Sequence, residues 1–220
     1  MHPVLLLVPT AGERRVIAAA LGDSCRIELC GFGPVAAAAR TAALLATHAP
    51  ASVLLAGIAG RFDERLAIGS ACLFSEVACH GVGAGSGAAF QPAAALGWPQ
   101  WPGDPPGHEA AIGDVIACTP AAAPTPPAAG LLLTACAASA DAADVAARRR
   151  LFPTAVAEDM EGYGVALACR LAGVPLRIVR GISNVAGDRD KSRWQIGPAL
   201  EAATALVRPL LAAPGREPPR

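Results

Sequence analysis

Two stretches of this 220-residue chain place polar side chains of the kinds that do chemistry at the ends of apolar runs. Over 156–190, Glu158, Asp159 and Glu161 precede a segment with small and apolar residues at helical spacing, and Ser183 and Asn184 follow a strand-like apolar segment. Near the N-terminus, Glu13 stands just beyond the apolar run at 4–8, after Pro9-Thr10-Ala11-Gly12. A carboxylate so placed can take a proton or accept from hydroxyls, and an amide such as Asn184 presents a donor and an acceptor side by side. Arg180 sits inside the apolar segment, where a guanidinium requires a carboxylate or hydroxyl partner. Each has a plainer reading as well: an acid favoured by a helix N-terminus at 13 and 161, an Asx-type turn at 184, a structural ion pair at 180.

The elements that must position these groups can be read from periodicity and breakers. The run at 156–190 reads as turn, helix over 160–171, stop at Gly173 and Pro175, then strand over 176–182. Ser183 and Asn184 then fall past the C-terminal end of a strand, where ligands of open α/β sheets bind. Continuous apolar runs at 4–8 and 52–56 are strands covered on both faces, and 26–30, 68–77 and 131–136 are further strands. Helices are expected over 13–21, from the Gly31-Phe32-Gly33 turn to His48, over 141–150 with Arg148, Arg149 and Arg150 complementing its C-terminal dipole, and over 199–211. The G-x-G-x-x-A spacing at 31–36 is not a dinucleotide fingerprint, because no acid follows until Asp63; the glycines instead permit a tight turn. From 81 to 130 the chain is dense in Gly, Pro and Ala and reads mostly as loop. Phe90, Leu96, Trp98 and Trp101 mark it as a segment that covers a substrate or meets another subunit, not a free linker. The tail from Pro214 reads as frayed.

Totals exclude several classes of function. Eighteen basic and 18 acidic residues leave a formal charge of zero, so neither nucleic acid nor an anionic membrane surface is an expected partner. Seven cysteines, an odd number with no C-x-x-C pair, read as buried free thiols of a cytoplasmic protein, and no signal segment or 18-residue apolar span is apparent. The four histidines lack ligand spacing, so no metal or cofactor is expected. The length suits one domain over 1–213, and with few aromatics its core must pack through Leu, Val, Ile and close approach at small residues.

Met160-Glu161 opening a helix, followed by Arg180, Ile182, Ser183 and Asn184 at a strand end, resembles the nucleoside phosphorylase and nucleosidase superfamily. The continuation through Gly187, Arg189, Asp190 and Trp194 is similar, more narrowly, to its futalosine hydrolase family, which removes hypoxanthine from futalosine in menaquinone biosynthesis. The resemblance implies an α/β fold, a single-domain three-layer αβα sandwich with a central mixed twisted sheet, and a homodimer acting on a small nucleoside and water. It implies that Glu13 orients or deprotonates the attacking water, with Val16 and Ile17 facing the core. Glu161 would hold the ribose hydroxyls beside an apolar wall at Met160, Arg180 and Ser183 would line the substrate site, and the backbone near Ala138 and Ser139 would border the base. Asn184 would accept from a protonated N7 while donating to a 6-oxo group, which favours hypoxanthine or guanine over adenine. Ile58 stands where the superfamily's phosphorylases and adenine-releasing nucleosidases carry a serine that holds phosphate or water, and an apolar side chain cannot donate to an oxyanion. Against this hydrolase stand a purine nucleoside phosphorylase, a methylthioadenosine/adenosylhomocysteine nucleosidase and a non-catalytic nucleoside-binding protein; retention of both Glu13 and Glu161 speaks against the last.

Overall fold

The apolar run Val4–Val8 is strand β1. Around it are laid β2 (Arg26–Leu29), β3 (Ser52–Arg61), β4 (Ala71–Phe74), β5 (Glu76–His80), a small hairpin of β6 (Gly83–Ala84) and β7 (Gln91–Pro92), β8 (Val115–Ala117), β9 (Leu131–Ala135), β10 (Ala155–Asp159) and β11 (Leu176–Val185). Helices α1 (Ala11–Leu21), α2 (Pro34–His48), α3 (Ala142–Leu151), α4 (Gly162–Leu171) and α5 (Ile196–Ala212) connect or close them. The computed structural model describes residues 4–104, 110–121 and 128–212. The tail from Pro214 and parts of both proline-dense stretches fall outside these.

Among the described residues nine strands form one mixed sheet, in the order β2-β1-β3-β10-β9-β5-β8, with β11 pairing β3 and β4. Both β1 and β11 pair with the same residues of β3, as in Leu6↔Leu54 and Arg177↔Leu54, so they occupy its opposite edges. Where β1 ends, β10 takes over that edge in antiparallel sense, with Glu158 opposite Gly60. Successive residues of β1 face different layers, which is why the run is apolar throughout. Leu5 and Leu7 pack with Ala37 and Leu44 of α2 and Tyr163 and Val165 of α4. Leu6 and Val8 pack with Ile17 of α1 and Leu200 and Val207 of α5. This is the expected three-layer αβα arrangement. Small residues bring the layers close: a Cβ at Gly181 would strike the Ala199 carbonyl oxygen of α5, and one at Gly164 the Pro34 carbonyl oxygen of α2.

Several boundaries differ from the expectation. The stretch before α4, expected as a turn, is strand β10, its polar Glu158 and Asp159 buried because both meet partners described below. Strand β3 continues through Gly57-Ile58-Ala59-Gly60, and β11 includes Ser183 and Asn184, since the two strands pair along their whole length. The segment 68–77 is two strands: Ser75 donates to the Gly130 carbonyl and accepts from Cys118 N–H, and the chain passes there from β4, antiparallel to β11, to β5, parallel to β9. Within 81–130 lie β8 and the β6–β7 hairpin. Phe90 packs edge-on against His80, with ring centroids 5.1 Å apart, and Trp101 leans on the core, which leaves Trp98 as the aromatic of that stretch open to solvent, at 74% exposure. No described helix is long and apolar enough to cross a membrane.

Candidate active site

Glu13 is fixed by the start of α1. Thr10 is the N-cap, and Glu13 in the first turn completes a capping box: its Oε2 accepts from Thr10 N–H (3.0 Å) and Thr10 Oγ (2.6 Å). Its other oxygen, Oε1, accepts from the Ile58 amide of β3 at 3.1 Å. Ile17 is fully buried and Val16 half-buried on the core side, as expected, so the carboxylate turns to the opposite face and lines a cavity.

Beside it lies Arg180 of β11, with no exposed surface. Its Nη2 and Nε donate to Asp159 Oδ2 at 2.5 and 3.1 Å, and Nη2 reaches Glu161 Oε2 at 3.3 Å. Asp159 also accepts from Thr134 Oγ1 (2.6 Å) and the Gly162 amide (2.9 Å), while Glu161 Oε1 accepts from the Gly33 amide (3.1 Å). The glycine turn at 31–33 thus ends on the site. Arg180 Nη1 is buried without a partner among the described residues. It faces Gly57, where an added Cβ would collide with Nη1 and stand 2.8 Å from Glu13 Oε1, so this glycine is the gap through which carboxylate and guanidinium approach. Arg180 therefore acts behind the cavity wall and not in it, positioning Glu161, which does line the cavity.

Arg180 is one cation among three carboxylates, Glu13, Asp159 and Glu161. Burial works against the Arg180 charge, but Asp159 first, then Glu161 and Glu13, hold its pKa above the ordinary value. For Glu161, burial dominates and lifts the pKa from 4.5 to about 7, with Asp159 and Glu13 adding to the rise and Arg180 opposing it. A carboxyl raised on folding binds a proton that the unfolded chain has already released between those two values. Its contribution to stability is therefore present at acid pH and is lost as pH rises from 4.5 to about 7. Thermal midpoints of the ligand-free protein across this window are expected to fall less in Glu161→Gln than in wild type. Parallel curves would place the proton elsewhere.

The cavity, about 310 Å³, runs from these acids to Ser183 and Asn184. Ser183 Oγ donates to Asn184 Oδ1 (2.8 Å) and Asn184 Nδ2 donates to the Val185 carbonyl (2.8 Å). One amide proton and one oxygen lone pair are left over for a ligand. Ile58 and Met160 supply apolar wall, and Phe32, Arg189, Lys191 and Trp194 form the rim, with the Arg189 guanidinium 5.3 Å from the Trp194 ring. The structure thus brings Glu13, Ile58, Met160, Glu161, Ser183 and Asn184 together around one cavity and puts Arg180 just behind it.

Sequence reasoning missed the arrangement around Glu158. Arg148, expected to serve the α3 dipole, is instead buried and donates from Nη1 to Glu158 Oε2 at 2.6 Å and from Nη2 to the Ala137 carbonyl at 2.8 Å. Ser139 donates to the same carboxylate through its amide (2.9 Å) and hydroxyl (2.6 Å). Two buried acids in one short strand were the available sign that buried partners had to exist.

The chain is 35% identical over 192 residues to futalosine hydrolase of Streptomyces coelicolor, a match spanning 85% of this chain and 78% of that protein. It is 31% identical over 195 residues to 5′-methylthioadenosine/S-adenosylhomocysteine nucleosidase of Shewanella putrefaciens, spanning 81% and 75%. Among solved structures, the corresponding nucleosidase of Colwellia psychrerythraea in complex with adenine superposes with a TM-score of 0.76 at 23% identity, covering 96% of this chain and 95% of that one. Futalosine hydrolase of Helicobacter pylori superposes at 0.73 and 15% identity, covering 96% and 97%; both likenesses establish the fold. The model of the phosphorylase superfamily matches residues 7–212, and the chain is therefore an enzyme of that superfamily.

Proposed function

We propose that this enzyme hydrolyses the N-glycosidic bond of a 6-oxopurine nucleoside, with futalosine as substrate and hypoxanthine as the released base, a step of menaquinone biosynthesis. The observation that carries the reading is Asn184 at the cavity wall, an amide with one free donor and one free acceptor. In the transition state the sugar is cation-like and the departing purine electron-rich, so stabilisation must be aimed at both. Asn184 accepts from N7–H and donates to O6. Glu161 accepts from the ribose hydroxyls against the Met160 wall, held by Arg180 and the Gly33 amide. Water attacks C1′ while the bond to N9 breaks and its electron pair goes to the purine; Glu13 takes one of the water's protons, and the purine takes up its N7 proton from solvent, so that one proton is gained and one is given up. Ile58 offers the cavity an apolar side chain and keeps its amide on Glu13, which favours water over phosphate as nucleophile.

The test is release of free base from futalosine, inosine and methylthioadenosine, with and without phosphate. Hypoxanthine from futalosine in phosphate-free buffer is expected. Release that requires phosphate would make the enzyme a phosphorylase, and preferred cleavage of methylthioadenosine would favour the activity named for the Shewanella relative. No release from any of the three would overturn futalosine as the substrate.

The same reading includes a cytoplasmic homodimer. Leu96 and Trp98 are 39% and 74% exposed on the stretch between β7 and β8, an apolar pair suited to a subunit contact. Light scattering at micromolar concentration should give twice the 22.1 kDa chain mass, and Trp98→Asp should shift it toward monomer. A monomeric wild type would end that part of the proposal.

A further inference from the structure

We infer that Arg189 and Lys191 are specificity-determining residues, which take an anionic group carried on the 5′ substituent of the nucleoside at the mouth of the cavity. The inference rests on the nucleosidase reading proposed above and concerns what lies beyond the sugar. With the purine on Asn184 and the ribose 2′- and 3′-hydroxyls on Glu161, the 5′ carbon is where a substituent can run out toward solvent. The rim it must cross is made of Phe32, Arg189, Lys191 and Trp194. Phe32 precedes Gly33, whose amide holds Glu161, so it stands on the ribose side, and it is 67% exposed.

The loop from β11 to α5 sorts its charges. Asp188 and Asp190 do not line the cavity and are satisfied within the loop. Asp188 Oδ1 accepts from the Asp190 amide at 3.0 Å and from Arg193 Nη2 at 2.7 Å. Asp190 Oδ1 accepts from the Ser192 amide (3.1 Å) and hydroxyl (2.6 Å), and its Oδ2 lies 3.5 Å from Arg193 Nε. The alternate residues, Arg189 and Lys191, do line the cavity, and among the described residues neither meets a carboxylate. An acid flanks Arg189 on each side in the chain, yet its guanidinium lies over the Trp194 ring, 5.3 Å from the centroid. That ring is anchored in turn: Nε1 donates to the Asp188 carbonyl at 3.0 Å, and the following amide, of Gln195, donates to the Ser183 carbonyl at 2.8 Å. A guanidinium stacked in this way keeps a planar fork of N–H groups for a carboxylate or phosphate. Charge therefore changes sign along the cavity. Its inner end holds Glu13, Asp159 and Glu161 around Arg180, and its mouth holds two cations without an acid between them. A nucleoside with a neutral 5′ substituent gains nothing from the cations at the mouth. One whose substituent ends in an anion is held there and enters base first. Water weakens each exposed pair, so the discrimination comes from two cations acting on one group.

Base release from futalosine, whose 5′ substituent ends in a carboxylate, compared with release from its carboxamide tests this, because the two differ in charge and little else. Wild type is expected to favour the acid about tenfold in kcat/KM, the lower end for a hydrogen bond to a charged group, with the difference in KM. Raising salt from about 0.05 to about 0.5 M should bring the acid-to-amide ratio toward one. Arg189→Gln and Lys191→Gln should each lower that ratio, the double variant should bring it to about one, and Lys191→Glu should turn the preference toward the amide. A structural role for either cation would instead slow both substrates alike and leave the ratio in place. A wild-type ratio near one overturns the inference without any variant having to fold. So does an unmoved ratio in a folded double variant. Release from neither compound sinks the underlying nucleosidase reading, and this inference with it.

Discussion

Glu13→Gln is expected to fold normally and to lose about 10² to 10⁴ in kcat, the contribution of a positioned general base. The two halves of that expectation come from different atoms. Oε2 caps α1, and a glutamine oxygen can accept from Thr10 N–H and Oγ in the same way, since Gln serves in capping boxes as Glu does. Oε1 sits against the Ile58 amide beside the Gly57 gap, and an amide group there cannot take the water's proton. Glu13→Ala separates the roles: it removes base and cap together, and should lower stability by about 1 kcal/mol besides abolishing turnover. Single-turnover rates alongside thermal melts make the comparison. A glutamine variant within tenfold of wild type would remove Glu13 from the chemistry and leave it a helix cap.

Asn184→Asp should cost hypoxanthine release about 2 to 4 kcal/mol in kcat/KM, the range for one preorganised donor at a developing charge. Nδ2 now gives one proton to the Val185 carbonyl and has one to offer O6, whereas an aspartate would set an oxygen against that oxygen. Adenine-bearing nucleosides should be spared or improved, because a protonated carboxyl can donate to N7 while its other oxygen accepts from the 6-amino group. The deciding quantity is the ratio of kcat/KM for 6-oxo over 6-amino nucleosides in the two proteins. If that ratio does not move, Asn184 does not read the base.

What was legible in the sequence was polarity out of place. Arg180 in an apolar strand demanded carboxylates, and Asp159 and Glu161 supply them. Glu13 after the first strand and Asn184 after an apolar run stood out for the same reason, and both reach the cavity. Strand β1 and helix α2 were readable because their patterns follow local periodicity. Long-range partners were hidden. Nothing near Arg148 in the chain says that Glu158 will be buried beside it, so a dipole at the end of α3 was the nearest explanation. Glycines misled in β3: Gly57 and Gly60 look like turn punctuation, but they are strand residues where side chains of other elements come close. The bend at Ser75 was invisible because both of its hydrogen bonds go to distant backbone, at Gly130 and Cys118.

The burial of Arg180 also bears on how the molecule assembles. Its cluster draws on contacts 19 and 21 residues apart in the chain, on a 45-residue contact between Glu13 and Ile58, and on a 128-residue contact between Glu161 and Gly33. A guanidinium enclosed before its carboxylates arrive would cost several kcal/mol, so pairing of β11 with β3 is penalised until β10 and the glycine turn are in place. Contacts of long sequence separation form late. The buried-charge cluster is thus expected to complete folding, and helix content measured by circular dichroism should recover ahead of activity when the denatured chain is returned to native conditions. Simultaneous recovery would mean that the charges meet early. On this account a half-folded chain carries no partial activity: the arginine that steadies the site also keeps the sheet from closing without it.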